Sequence, residues 1–317
     1  MEHGDADTPD FRQESFECQG PIDIWAELDA GRLDIALSEN TADPQGENTT
    51  DPQAITVKIR PDLSSQPPWH VGVSGWLSWL GEQTGTAPPG ELSTEALRRT
   101  IIDFSGTRLT VRSPREFPLR TVPLIIQVSA PSGSSITARS GSADVGVTGI
   151  AAELDTATGS GAFRAQRCAG SAAVRTGSGD VQLGTVLGRL RVRTGSGQVD
   201  VACLEGSRGT ESTGSVHTGS GDVRLGAVKH DLSARSSSGD LTVVDAWAGG
   251  LELTTGSGQL RVGIHRGVHA ELDVSSGSGR AHSDLPVGGP PADGDVALRV
   301  RARTGSGDAL VTAAPSA

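Results

Sequence analysis

The sequence has no tyrosine, one methionine and three cysteines, and aromatic side chains make up 3% of its 317 residues. So small a stock of large apolar side chains excludes a helical bundle with a conventional core. Cys18, Cys168 and Cys203 are odd in number and form no Cys-x-x-Cys pair, which excludes a disulfide framework and a cysteine zinc site. Cys168 and Cys203 read as small core residues. No run approaches the roughly 18 apolar residues of a transmembrane helix. The opening residues, MEHGDADTPDF, carry neither a positive n-region nor an apolar h-region. Together these absences predict a cytoplasmic protein.

Catalytic signatures are missing too. There is no Gly-x-Ser-x-Gly, no His-Glu-x-x-His and no Gly-Lys-Ser/Thr after a glycine-rich loop. His265 and His269 have the i, i+4 spacing of a helical metal pair, but they stand in strand and turn sequence and read as solvated. The chain is predicted to be no enzyme and to hold no cofactor or metal.

What the sequence has is glycine, 43 residues of it, much of it in one recurring phrase. TGSGDV at Thr176–Val181 returns as TGSGQV at Thr194–Val199, TGSGDV at Thr218–Val223 and TGSGQL at Thr255–Leu260. Looser copies begin at Ser140, Thr158, Ser236, Ser276 and Thr304. The fourth residues of the copies fall at 143, 161, 179, 197, 221, 239, 258, 279 and 307, so the commonest step is 18. A fixed period of this size marks a solenoid, whose repeats bury apolar surface only by stacking on their neighbours.

Within one copy, apolar Val181, Leu183, Leu190 and Val192 alternate with Gln182, Arg189, Arg191 and Arg193. Period-2 alternation is the mark of a half-buried strand, so each coil offers strands near 180–184 and 189–194. Superposed copies align Val145, Phe163, Val181, Val199, Val223, Leu241 and Leu260 as one inward column. Val147, Ala165, Leu183, Val201, Leu225, Val243 and Val262 form a second. The other strand gives Leu154, Ala172, Leu190, Leu232, Leu251 and Leu272, and beside them Val174, Val192, Val216, Leu253, Val274 and Val300. The reading is all-β: a right-handed parallel β-solenoid of about nine coils, with an N-terminal β cap region that carries a short helical insertion.

Residues 1–18 are expected as a disordered acidic tail, 19–130 as the N-terminal β region, 131–312 as the repeats and 313–317 as a tail. PIDIWAELDAGRLDIAL at 21–37 reads as two strands with a turn near Gly31. Ile55–Arg60, Ile101–Phe104, Thr107–Arg112 and Leu124–Ser129 read as further strands. The insertion, about 69–100, holds Trp69, Trp76, Leu77, Trp79 and Leu80 and then ELSTEALRRT, a helix by its early Glu91 and Glu95 and late Arg98 and Arg99. Its tryptophan segment either covers the exposed first coil or forms a patch for a partner or for peripheral contact with a membrane.

Charge is uneven. Residues 1–60 hold 14 acidic and 4 basic side chains, while the rest hold 24 and 23. A nearly neutral repeat region argues against nucleic acid as a partner. The aspartate after the glycines, as in Asp144, Asp180, Asp222, Asp240 and Asp308, invites calcium. Ala162, Gln198, Gln259 and Arg280 interrupt that column, and calcium needs several oxygen ligands, so the aspartate reads as a turn former. One outward column is cationic: Arg139, Arg175, Arg193, His217, Arg235 and Arg303, with Arg191 two residues before Arg193. It is a candidate stripe for an anionic partner. The bland alternative is that outward strand positions are polar in an arginine-rich chain, with stacked like charges limiting aggregation.

The repeated TGSGDV and TGSGQV phrases, TRLTVRSP at Thr107–Pro114, PSGSSITARSGSADV at Pro131–Val145 and VRARTGSGDALV at Val300–Val311 resemble one bacterial group. This is the "putative adhesin" β-strand-repeat family, a domain of unknown function common in actinobacteria, and the resemblance spans about residues 18–312. It implies a right-handed β-solenoid without known catalytic residues, and in some relatives a link to the cell envelope. The expected function is a non-enzymatic scaffold that binds a protein partner. An exported adhesin, or a filament assembled through the solenoid ends, is the alternative.

Overall fold

The computed structural model describes residues 11–38, 53–62, 89–206, 214–286 and 296–315. The chain divides into two compact units, Met1–Thr148 and Gly149–Ala317.

In the first unit the strands are β1 (Arg12–Cys18), β2 (Asp23–Leu28), β3 (Gly31–Ser38) and β4 (Gln53–Pro61). Helix α1 (Pro89–Arg99) follows, then β5 (Ile101–Ser105), β6 (Arg108–Arg112), β7 (Leu124–Pro131), β8 (Ser135–Ser140) and β9 (Asp144–Ala151). β2 and β3 do not pair with each other. β2 lies parallel to both β6 and β8, and β3 lies parallel to both β7 and β9. Each pair is therefore one coil, with a strand on either sheet. The coil formed by β6 and β7 lies on the side of β2 and β3 away from β8 and β9, out of chain order.

β4 on one sheet and β5 on the other run antiparallel to the coil strands they flank, while β1, antiparallel to β4, has the coil direction again. β4 pairs with β7, β1 with β4 and β5 with β6. A reversed strand ends a parallel stack and covers its edge. Residues 12–18, expected in a disordered tail, instead form β1, because alternate Arg12, Glu14, Phe16 and Cys18 meet covered positions. Arg12 Nη1 also donates to the carbonyls of Leu97 at 3.2 Å and Thr100 at 2.6 Å. A guanidinium there satisfies orphan carbonyls at the end of α1 and complements its dipole. The helix lies where its charge pattern places it, with Ala96 and Leu97 buried.

The second unit holds β10 (Leu154–Thr158), β11 (Phe163–Cys168), β12 (Ala172–Thr176), β13 (Val181–Val186), β14 (Leu190–Thr194) and β15 (Val199–Leu204). It continues with β16 (Gly214–Thr218), β17 (Val223–Val228), β18 (Leu232–Ser236), β19 (Leu241–Ala246), β20 (Gly249–Thr255) and β21 (Leu260–Ile264). β22 (Ala270–Ser276), β23 (Ala281–Ser283), β24 (Leu298–Thr304) and β25 (Ala309–Ala313) complete it. Even-numbered strands to β24 make one parallel sheet, and β11 to β25, odd-numbered, make the other.

The first inward column holds in register, Phe163 opposite Val181, Val199, Val223, Leu241 and Leu260 in turn, all buried. Two details differ from the expected alignment. β24 and β25 are inserted between the coil of β20 and β21 and the coil of β22 and β23, so the last coil in sequence is not the last in the stack. Val300 accordingly stands between Leu251 and Leu272, and Ala302 takes the place expected for Val300, between Leu253 and Val274.

Candidate functional site

The recurring phrase is a stacking device. Thr176 Oγ1 is buried and accepts the N–H of Gly179 at 2.9 Å, and Thr194 and Thr218 do the same for Gly197 and Gly221. Thr255 Oγ1 both accepts from Gly258 N–H and donates to Gly239 O, 2.9 Å away on the neighbouring coil. A Cβ on Gly197 would stand 1.9 Å from Gly179 O, and one on Gly179 would stand 2.0 Å from Gly161 O. Only glycine lets successive turns lie this close. Asp180, Asp222, Asp240 and Asp308 each use Oδ1 to accept the backbone N–H of the same position one coil on, in Gln198, Asp240, Gln259 and Arg280. The motif is thereby committed to coil-to-coil contacts. Among the described residues no three His, Cys, Asp or Glu side chains converge as metal ligands.

The candidate binding residues stand on the outer faces. The residues of the cationic column lie on even-numbered strands, and their surroundings differ. In the first unit Arg139 stands beside Glu27, which takes a paired contact from Arg115 at 2.7 and 2.6 Å. In the second unit Arg175, Arg193, His217 and Arg235 occupy consecutive rungs. Arg175 is 3.8 Å from Asp155, Arg235 is 3.2 Å from Glu252 and Arg303 is 3.2 Å from Asp273. Arg193 has no carboxylate partner among the described residues, nor do Arg189 and Arg191 on the same stretch of chain. The positive field there is felt by His217: burial first, then Arg193 and Arg235, hold its pKa below the ordinary value. Trp69, Trp76, Leu77, Trp79 and Leu80 lie outside the described residues.

The odd-numbered sheet carries a second feature. Glu205, Lys229, Trp247 and His265 each follow the last paired residue of β15, β17, β19 and β21, and so stand on successive rungs. Lys229 Nζ donates to Glu205 Oε1 at 2.9 Å and lies 5.4 Å from the Trp247 ring centre. The Trp247 and His265 rings stack with centroids 3.3 Å apart. Asp245 binds both, accepting from Trp247 Nε1 at 2.7 Å and meeting His265 Nδ1 at 2.9 Å. His265 is thus a fixed member of a ladder and not the solvated residue expected. The steps 205, 229, 247 and 265 repeat the coil period, so superposing turns as well as strands reveals the set. With Lys229 one rung below and His265 one rung above, Trp247 offers no bare ring face for a sugar.

Burial raises the pKa of all three thiols, that of Cys168 to about 11. None is poised as a nucleophile. No described helix is long and apolar enough to cross a membrane.

A family profile described as "Toastrack DUF4097" matches residues 104–313. No curated protein matches the sequence. Solved structures that are similar include a "putative adhesin" from Bacteroides fragilis NCTC 9343, at 9% identity and TM-score 0.35, covering 95% of this chain and 97% of that one. Another "putative adhesin", from Parabacteroides distasonis ATCC 8503, has 9% identity, TM-score 0.32 and coverage of 95% and 96%.

Proposed function

Because the chain belongs to the Toastrack DUF4097 family, we propose that it is a non-enzymatic β-solenoid scaffold that binds a protein partner, inside the cell and linked to its envelope. One observation carries this reading. The threonine, glycines and aspartate of the signature are engaged in holding coil on coil, which leaves two broad ruled faces and no convergent nucleophile and base among the described residues. A stack of similar coils presents extended surface, the usual basis of binding in repeat proteins.

Crosslinked co-purification of the tagged chain from its native host, with soluble and membrane fractions kept apart, tests the proposal. The expected result is one dominant protein that rebinds the purified chain. Recovery of the chain alone, as large particles or outside the cell, overturns the scaffold in favour of a filament or an adhesin.

A further inference from the structure

Two stretches of the even-numbered sheet carry the same alternation of arginines just before the signature. One is Arg189, Arg191 and Arg193, leading into Thr194. The other is Arg299, Arg301 and Arg303, leading into Thr304. Side chains two apart on a strand share a face and stand about 6.8 Å apart, so Arg191 and Arg193 on β14, with Arg189 just before it, and Arg299, Arg301 and Arg303 on β24 each line one outward face.

The surroundings of the two rows are opposite. Beside Arg299, Arg301 and Arg303 runs β22, an extended strand whose outward residues include Glu271 and Asp273. Arg299 meets Glu271 at 3.3 Å, and Arg301 and Arg303 both meet Asp273 at 3.2 Å. On the other flank Arg301 is opposite Glu252. Two acidic residues at alternate positions of an extended chain, Glu271 and Asp273, thus meet the three arginines of this row, and Ser275 stands opposite the third. Among the described residues the β14 row has no such neighbour. Arg191 stands between Ala173 and Ser215, and Arg193 between Arg175 and His217. All three of its arginines are exposed and without an ion pair among the described residues.

Resting on the scaffold reading, we infer that the β14 row is the docking site for an acidic, extended segment of the partner protein, with Asp or Glu at alternate positions. β22 shows, from the adjacent edge of the sheet, that carboxylates at alternate positions of an extended chain reach the arginines of such a row. Both backbone edges of β14 are already paired, to β12 and β16. The segment therefore lies across the outer face and is held by its carboxylates, while Ala173 and Ser215 leave room beside Arg191. Among the described residues beside β14, the outward positions are Ala173, Arg175, Ser215 and His217, which gives no large apolar residue to enter a bilayer.

The test is fluorescence anisotropy of the full chain with a labelled peptide in which glutamate and serine alternate over about ten residues, matching the strand repeat. Controls are a peptide of equal composition with its glutamates in one block, an alternating lysine–serine peptide, polyphosphate and phosphatidylglycerol vesicles. Saturable binding of the alternating acidic peptide is expected, weakened about ten-fold by Arg191→Ser with Arg193→Ser and unchanged by Arg224→Ser on the other sheet. Rising salt weakens it further. Absence of binding, equal binding by the double variant, or preference for polyphosphate or vesicles overturns the inference. The lysine–serine peptide keeps the test open if the double variant fails to fold, because equal binding of that peptide also overturns it. If a single partner is still recovered from the host while the acidic peptide fails, the scaffold stands and this site is removed.

Discussion

Gln198 donates its backbone N–H to Asp180 Oδ1 at 2.9 Å, from the same position one coil along. That contact gives the aspartate that recurs after the glycines a structural role of its own. Its carboxylate substitutes for the carbonyl that a strand would supply where the ladder turns a corner. The same link joins Asp240 to Asp222 and Gln259 to Asp240.

Asp240→Ala should therefore cost about 1 kcal/mol in chemical denaturation, as for a lost side-chain cap, while Asp240→Asn retains most of it by keeping the acceptor oxygen. Calcium or a chelator should leave the melting temperature of the wild type unchanged. A calcium-dependent rise of several degrees would restore the metal reading.

Gly197→Ala places a methyl group 1.9 Å from a backbone oxygen of the next turn. Backbone cannot swing aside as a flexible side chain can, so a loss of about 3 kcal/mol is expected, typical of severe overpacking. Gly267→Ala is the informative comparison, since its Cβ meets nothing within 4 Å and only the positive φ of 85° opposes it. The denaturation midpoint of Gly197→Ala should fall well below that of Gly267→Ala.

His217 titrates below its ordinary value, chiefly through burial and then through Arg193 and Arg235. The unfolded chain thus takes up this proton more readily than the folded one. The stability that neutral His217 contributes is present above about pH 6.5 and is lost as pH falls through the depressed folded value. His217→Gln should lose less stability than the wild type between pH 7 and pH 5, read from urea midpoints. Arg193→Ser should raise the His217 pKa only part of the way in an NMR titration, because burial is the larger cause.

Cys168 has its thiol pKa pushed up to about 11 by burial. At pH 8 only about one thiol in a thousand is ionised. Labelling of the native protein with a thiol reagent should leave Cys168 unmodified and become complete only on unfolding. Fast labelling of Cys168 would mean that its coil opens locally.

Much of the candidate surface was legible in the sequence for the reason that the coils were. A fixed period brings Arg175, Arg193, His217 and Arg235 to one coil position, and the structure stacks them on consecutive rungs. Which of these arginines meets a carboxylate was not legible. Asp155, Glu252 and Asp273 sit on different strands, and only the lateral order of strands decides which cation each one reaches. The ladder through Trp247 was missed because strand alternation was compared and the turns between strands were not.

The sequence by itself determined the local unit. Alternating valine and leucine prescribe strands with one buried face, and the threonine and glycines of the signature prescribe a turn that only another such turn can lie against. Repetition every 18 residues then dictates a stack. The order of coils within each unit was decided by tertiary structure alone. Every coil offers its neighbours nearly the same backbone edges and apolar columns, so local preference does not distinguish adjacent places in the stack. Two long connections, from β3 to β6 and from β23 to β24, let the chain leave a place and fill another. The final choice rests on long-range pairing, with β24 between β20 and β22 and its arginines set against Glu271 and Asp273. The similar row on β14 lies between β12 and β16 and has no acidic neighbour on either strand among the described residues.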